Sequence, residues 1–163
     1  MEYTIRPYIP GEEVYVADAH HRVYSTEYHW GNSFIDYAED IALSFPKKEK
    51  TDREELWIAE ADGKPLGCIM LCQTEDKEIG QLRLFLVEKE CRHYGIGTAL
   101  TKALLSRAHE AGYKELILWS ASPLHDAISH YEKLGFIEEE RMENRTWSID
   151  GDIIYEVKMR MSI

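Results

Sequence analysis

The chain has 163 residues, of which 44% are hydrophobic and 30% are charged, a composition typical of a globular protein rather than a disordered one. A length within ~100–200 residues predicts one domain, which we place at 1–163. The net charge is −11, from 19 Lys and Arg against 30 Asp and Glu. This acidity argues against nucleic acids and anionic membrane surfaces as partners, because both attract a basic field.

The cysteines and the N-terminal sequence bear on the cellular compartment. Cys68, Cys72 and Cys91 have no CxxC spacing, and a chain of this length does not need a disulfide framework. Residues 1–13 lack a basic segment followed by an apolar one, which predicts that no signal peptide is present. No apolar run reaches the ~18 residues that span a bilayer. We therefore expect a soluble protein of the cytoplasm.

The first third of the chain predicts one strand and two helices. Residues 3–6 have the pattern of a short strand, and apolar residues recur at helical spacing over 12–45. Gly31-Asn32 interrupts that spacing and divides the stretch into two helices. The charged stretch 46–55 predicts a solvated connection or a frayed helix end.

The rest of the chain predicts alternating strands and helices. In chain order they are a hairpin of strands 56–60 and 66–73, a strand over 81–87, a helix over 95–111, a strand over 116–119, a helix over 126–134 and two strands around Asp150-Gly151. The helix over 95–111 has one apolar stripe and ends at Gly112. This order predicts an α/β (α+β) fold with a mixed sheet and helices packed on it.

A glycine-bearing turn joins the strand at 81–87 to the following helix. The first amides of a helix have no partners within it, and Gly95 and Gly97 allow an anion to approach the backbone closely. Two familiar phosphate motifs do not match, since no Lys follows Gly97 and Leu100 replaces the third glycine of the dinucleotide fingerprint. The spacing alone fits a phosphate cradle and a plain helix-capping turn equally.

Two motifs extend this interpretation. Arg92-x-x-Gly95-x-Gly97 resembles the Arg/Gln-x-x-Gly-x-Gly/Ala signature of the GNAT superfamily of N-acetyltransferases. Downstream, Ala127-x-x-x-Tyr131 followed by Gly135-Phe136 resembles the second signature of that family. The resemblance implies the GNAT fold, a mixed and mostly antiparallel central sheet flanked by helices. It extends over nearly the whole chain.

A narrower resemblance concerns three segments. Residues 22–34, 56–67 and 81–88 are similar to the acetyltransferase half of fusion proteins that also carry a MarR-type DNA-binding domain. The helix-turn-helix half of those proteins has no counterpart in this sequence, in agreement with its acidic charge.

The GNAT resemblance implies direct transfer of an acetyl group from acetyl-CoA to a primary amine of a small molecule or a protein. It implies that Arg92 and six successive residues surround the pyrophosphate: His93, Tyr94, Gly95, Ile96, Gly97 and Thr98. The pantetheine arm would pair with Phe85, Leu86 and Val87, and the amide of Leu86 would polarise the thioester carbonyl. The apolar side chains of 85–87 fit an ordinary core strand equally well.

The resemblance assigns Tyr131 as the general acid that protonates the leaving thiolate, although a tyrosine that only packs on the sheet fits the helical spacing too. The family often has a glutamate base at the positions of Gln81 and Trp119, and neither of these side chains accepts a proton. Glu27 is then the best candidate base. One alternative is that the amine loses its proton through water, and another is that Glu27 is only an exposed helix residue.

The acceptor side is predicted from aromatic residues. Tyr24, Tyr28 and Trp30 could form a wall that holds an ammonium group, although packing in the core is the commoner use of such residues. The histidines, which include His20-His21, form no convincing metal site. A homodimer is common in the superfamily, and no residue demands one. The competing functions are a non-catalytic CoA-binding or sensing module and a transferase with a larger acyl donor.

Overall fold

The predicted order of strands and helices is confirmed by a computed structural model that describes residues 1–163. The strands are β1 (Thr4–Pro7), β2 (Glu55–Ala61), β3 (Lys64–Gln73), β4 (Ile79–Val87), β5 (Glu115–Ala121), β6 (Ile137–Asn144) and β7 (Ile154–Ser162). The helices are α1 (Glu13–Glu27), α2 (Asn32–Ser44), α3 (Ile96–Glu110) and α4 (His125–Leu134), with short 3-10 turns at Phe45–Lys47 and Lys89–Cys91. No helix combines the length and the apolar character that crossing a membrane requires.

The seven strands form one mixed sheet in the order β1-β2-β3-β4-β5-β7-β6. Every neighbouring pair is antiparallel except β4 and β5, which run parallel. Parallel neighbours require a crossover connection, and the segment that contains α3 provides it. The predicted mixed and mostly antiparallel sheet is therefore confirmed.

Helices cover both faces of the sheet. A stripe of α3 packs on the face that it shares with α4, and its members are at most 1% exposed: Ile96, Leu100, Leu104 and Ala108. On the opposite face α1 and α2 pack against Leu56, Ile58 and Met70. Because β4 lies between two packed layers, its backbone is held firmly where it leads into α3.

The charged stretch 46–55 is mostly exposed, as predicted, with residues 46–50 and 52 in contact with solvent, but its end is buried. Its Glu54 is only 8% exposed and accepts hydrogen bonds from Lys48 Nζ at 3.0 Å and from the amide of Gln73 at 3.1 Å. A buried carboxylate needs such donors. The end of the stretch therefore packs onto the end of β3, while the residues before it remain exposed.

The final connection is longer than the predicted turn. Residues 145–153 separate β6 from β7, and Gly151 lies near the end of this loop with a φ of 78°. The amide of Gly31 donates to the carbonyl of Trp147 at 2.7 Å, and the amide of Ile149 donates to the carbonyl of His29 at 2.9 Å. The loop is thus tied to the connection between α1 and α2.

Candidate active site

β4 and β5 separate part-way along their length, because their pairing is confined to Ile79–Gln81 on β4. The gap opens into two cavities. The turn cavity, of about 410 Å³, is lined by 85–87 of β4 and by residues of the segment 91–98. The sheet cavity, of about 220 Å³, is lined by 81–85 of β4 and 119–121 of β5. The residues that line both cavities mark their junction: Tyr24, Phe85, Leu124 and Ala127.

A bulge in β4 lies at this junction. The register pairs Met70 with Arg83 and Cys68 with Leu86, so β4 carries one residue more than β3 between these pairs. Leu84 adopts a φ of 49°, a conformation that is unusual for a residue other than glycine. The bulge therefore redirects the backbone of β4 where it borders the cleft.

The turn between β4 and α3 presents a run of free backbone amides. None of the amides from His93 to Thr98 donates to a backbone carbonyl. His93 and Gly95 adopt φ values of 71° and 83°, and such alternation turns successive N–H groups into one concave surface. The run ends in the first turn of α3, where the helix dipole is positive. These properties fit a phosphate or pyrophosphate group.

Side chains around this turn explain why small residues are needed there. A Cβ atom at Gly97 would lie 3.1 Å from the ring of Phe85, so a larger residue would crowd the wall of the turn cavity. The side chain of Tyr94 is 52% exposed and does not line the turn cavity, whereas that of Ile96 is buried in the core. Tyr94 can therefore contribute to an anion site only through its amide.

Arg92 and Glu27 are brought together by the fold. The guanidinium of Arg92 donates to both carboxylate oxygens of Glu27, at 3.0 and 3.1 Å, and its Nε donates to the carbonyl of Val87 at 3.1 Å. Arg92 lines the turn cavity, but Glu27 lines neither of the two cavities. The ion pair joins the last residue of α1 to the turn before α3.

The amides of β4 alternate in direction. The amide of Glu88 donates to the carbonyl of Leu66 on β3, so the amide of Leu86, two residues earlier, also faces β3 and the sulfur of Cys68. The carbonyl of Val87 points the other way, toward Arg92. The structure thus turns the amide of Leu86 away from the cleft, contrary to the expectation that it polarises a carbonyl there. The carbonyl of Leu84 accepts from the thiol of Cys68 at 3.3 Å, so the amide of Phe85, on the other side of the same trans peptide, points away from Cys68.

Tyr131 lies on α4 at the wall of the sheet cavity. Its ring is 6% exposed and packs against the rings of Phe85 and Phe136, with centroids 5.9 Å apart in each pair. Burial raises the pKa of Tyr131 above its usual value, and the neighbouring phenol of Tyr24 raises it further. The hydroxyl is therefore protonated at neutral pH and can donate a proton or a hydrogen bond.

The predicted aromatic wall is part of a larger cluster. Tyr24 stacks on Trp30 with ring centroids 5.2 Å apart, and Trp30 contacts Phe34 and Trp147 at 4.8 and 5.2 Å. These four rings line the sheet cavity, whereas Tyr28 lines the turn cavity. Phe34 and Trp147 were not predicted, since Trp147 comes from the loop before β7. The cluster both packs a core and forms one wall of the sheet cavity.

The sheet cavity also contains polar groups that no sequence motif marks. Gln81 and Arg83 of β4, Glu156 of β7 and His20 of α1 all line it. The Nδ1 of His20 donates to the carbonyl of Val16 at 2.8 Å, and burial lowers the pKa of His20 to about 4. His20 is therefore neutral at pH 7. Trp119, at the other position where the family often has a glutamate, lines the cavity as well.

Comparison with known proteins places the chain in a family. Residues 15–136 match the model of the acetyltransferase (GNAT) family. An uncharacterized N-acetyltransferase of Methanocaldococcus jannaschii is 31% identical over 96 residues, which are 56% of this chain and 42% of that protein. N-acetyltransferase 8 of Rattus norvegicus is 30% identical over 133 residues, 77% of this chain and 60% of that protein. The chain thus spans about half the length of the curated relatives that it matches.

Solved structures show the same fold. A GNAT acetyltransferase from Streptococcus pneumoniae superposes with a TM-score of 0.79 at 23% identity, over 99% of this chain and 100% of that one. A GNAT acetyltransferase from Elizabethkingia anophelis with bound acetyl-CoA superposes with a TM-score of 0.69 at 17% identity, over 99% and 98% of the two chains. The chain belongs to the GNAT acetyltransferase family, whose acyl donor is acetyl-CoA.

Proposed function

We propose that this protein transfers an acetyl group from acetyl-CoA to a primary amine by direct attack of the amine on the thioester. The acceptor is a small molecule or a protein. One observation carries the proposal: a cavity with free backbone amides meets a cavity with a protonated buried tyrosine at a junction lined by Tyr24 and Phe85. Two substrates that enter from opposite sides would meet there.

The turn cavity is the proposed donor site. The amides of 93–98 would bind the pyrophosphate, and the cleft-facing edge of 85–87 would pair with the pantetheine arm as an added strand. Because the amide of Leu86 faces β3, we assign the polarisation of the thioester carbonyl to the amide of Phe85. Arg92, already paired with Glu27 and Val87, would shape the turn rather than act as a free counter-ion.

The proposed chemistry places Tyr131 as the general acid. The amine nitrogen forms a bond to the carbonyl carbon, the C–S bond breaks, and its electron pair stays on sulfur. The phenol of Tyr131 protonates the thiolate, and the proton lost by the amine passes to water or a base, from which the phenol is restored. The raised pKa of Tyr131 keeps its proton in place until the thiolate forms.

The assignment of Glu27 as the base stays a prediction. Its two oxygens are bound by Arg92, and it lines neither cavity. A route through water is supported by the polar lining of the sheet cavity, where Gln81 and Glu156 could order solvent near the junction. Tyr24 and Trp30 remain the proposed acceptor-side wall, while Tyr28 belongs to the donor side.

The competing functions separate in one pair of measurements. Release of the CoA thiol is followed with acetyl-CoA and a panel of primary amines, and the melting temperature is recorded with and without acetyl-CoA. We expect a higher melting temperature with acetyl-CoA and amine-dependent thiol release. Stabilisation without release for any amine would favour the CoA-binding or sensing module, and release only with longer acyl-CoA donors would favour a different transferase.

A matched pair of glycine variants tests the cradle within the same assay. Gly95 and Gly63 both have positive φ, at 83° and 75°, so alanine strains the backbone similarly at each position. Gly95→Ala should lose the stabilisation by acetyl-CoA, because it distorts the run of amides, whereas Gly63→Ala in the β2–β3 turn should keep it. Equal responses of the two variants would contradict the proposed cradle.

The single-domain organisation over 1–163, the cytoplasmic location, a homodimer and the narrower resemblance to MarR-type fusion proteins stay predictions.

A further inference from the structure

Arg83 of β4 differs from the other arginines in forming no ion pair with a carboxylate and no hydrogen bond to a backbone carbonyl. Its Nε is buried without a hydrogen-bond acceptor. Arg53 donates to two backbone carbonyls and stacks on Tyr113. The remaining arginines all pair with carboxylates: Arg6, Arg22, Arg92, Arg107, Arg141, Arg145 and Arg160. In a chain with 30 acidic residues against 19 basic ones, an unpaired guanidinium is an exception.

The position of Arg83 points it at the acceptor side of the site. It lies opposite Met70 and directly before the bulge residue Leu84, on the sheet face that α1 and α2 cover. There it lines the sheet cavity together with Tyr37 and Ile41 of α2. The unpaired cation therefore borders the space that we assign to the acceptor.

No carboxylate forms an ion pair with Arg83, since Glu54, whose charge reaches the neighbouring Cys72, is held by Lys48. The thiol of Cys72 lies beside Arg83, but burial raises the pKa of Cys72 to about 11 despite the opposing effect of Arg83, so this thiol is neutral. Glu156 is the acidic residue that lines the cavity, and it stands on β7, beyond β5, where it accepts a hydrogen bond from Asn144. The Nε of this half-buried side chain is itself buried without an acceptor, and leaving such a donor unbonded is costly, so an acceptor from outside the chain is favoured.

We propose, on the basis of the proposed function, that the acceptor is a small primary amine that also carries a carboxylate, and that the guanidinium of Arg83 binds this carboxylate. A guanidinium matches a carboxylate with two parallel N–H···O bonds. The rest of the cavity wall, with Trp30, Phe34 and Trp147, suits an apolar or aromatic substituent.

The spacing along β4 limits the size of such an acceptor. Arg83 and Phe85, at the junction, are two residues apart, which is at most ~7 Å along β4 because the bulge at Leu84 interrupts the extended backbone between them. An amine that reaches the junction while its carboxylate binds Arg83 therefore has the two groups a few bonds apart. The cavity volume of about 220 Å³ corresponds to roughly seven water molecules, which also indicates a small acceptor.

The test compares each amino acid with its carboxamide. The two members of such a pair differ in that a neutral amide replaces the carboxylate. Thiol release from acetyl-CoA gives kcat/KM for each member, and the preference for the carboxylate is their ratio. We expect the wild type to prefer the amino acid and Arg83→Gln to lower that ratio roughly 10- to 100-fold through the acceptor KM. Comparing ratios between variants cancels the different basicity of the two amines.

Two further variants complete the design. Arg83→Lys keeps the charge but loses the two-pronged geometry, so its ratio should fall between the others, and it serves in place of Arg83→Gln if that variant does not fold. Arg107→Gln removes a partly exposed arginine of α3 that lines neither cavity and should keep the wild-type ratio. Equal kcat/KM within every pair for the wild type, or an unchanged ratio in both Arg83 variants, would overturn the inference.

Failure of the proposed function gives a different result. A protein that binds no acetyl-CoA contradicts the donor site itself. A protein that binds acetyl-CoA and acetylates only amines without a carboxylate contradicts the role of Arg83 alone.

Discussion

Glu27 and Arg92 have separate predicted roles, yet in the folded protein both belong to one ion pair. The sequence motif marks Arg92 for the phosphate turn and the search for a base marks Glu27, while the fold pairs each with the other. The side chains are 33% and 18% exposed, so water screens the pair and its contribution to stability is modest. Its position matters more, because it fixes the end of α1 against the turn before α3.

The pair leads to a prediction for Glu27→Gln. If Glu27 holds Arg92 in place, the variant should raise the KM for acetyl-CoA by up to about fivefold, since this ratio corresponds to the free energy of a partly exposed ion pair. The pH profile of kcat should be unchanged. Steady-state kinetics from pH 6 to 9 measure both. The matched control is Glu110→Gln, which removes an exposed ion pair on α3. Loss of the acidic limb of the profile in Glu27→Gln would instead identify Glu27 as the base.

At the scale of single elements, α1 has a buried titratable group on its packed face. His20 is 3% exposed, donates to the carbonyl of Val16 and stacks on Tyr24 at 5.8 Å. Burial lowers its pKa to about 4, although the charge of Glu88 opposes the shift. Between pH 6.5 and 4 the unfolded chain therefore binds more protons at this residue than the folded chain does.

The expected consequence is a loss of stability in acid. Above pH 6.5 His20 does not lower the free energy of unfolding. As pH falls from 6.5 through 4, it should lower that free energy by at most about 3 kcal/mol. Urea unfolding is measured as a function of pH for the wild type and for His20→Asn. The comparison isolates this contribution because the carboxylates titrate equally in both proteins. Parallel curves for the two proteins would contradict it.

The elements themselves could largely be predicted from periodicity, and their local distortions could not. The stripe of α3 and the strand character of residues 81–87 follow from side-chain spacing. The bulge at Leu84 has no glycine to mark it and depends on how β3 pairs with β4. For this reason the sequence alone favours Leu86 as the polarising amide, whereas our proposal, which takes the bulge into account, assigns this role to Phe85.

At the scale of the whole molecule, the turn that we propose as the donor site is visible in the sequence, and the cavity that we propose as the acceptor site is not. The donor turn is continuous in sequence, so a local motif describes it. The acceptor cavity combines His20, Arg83, Trp147 and Glu156, which come from different elements and meet only through the strand order β4-β5-β7 and the loop before β7. No spacing along the chain encodes that meeting.

The net charge of −11 gains a more specific meaning from the structure. Most arginines are engaged by the surplus of carboxylates, and the anion site that we propose before α3 depends on amides rather than on basic side chains. A polyanionic donor can therefore bind an acidic protein, because the local field of the turn differs from the net field.

The catalytic assignment at the junction of the two cavities is tested most directly by Tyr131→Phe. The variant keeps the buried ring and removes only the hydroxyl. With an amine that the wild type acetylates, kcat should therefore fall by roughly 10²- to 10⁴-fold, while the Kd for acetyl-CoA is unchanged. Tyr155→Phe, which alters an exposed tyrosine of β7, is the matched control and should behave as the wild type. An unchanged kcat in Tyr131→Phe would contradict the assignment of the general acid.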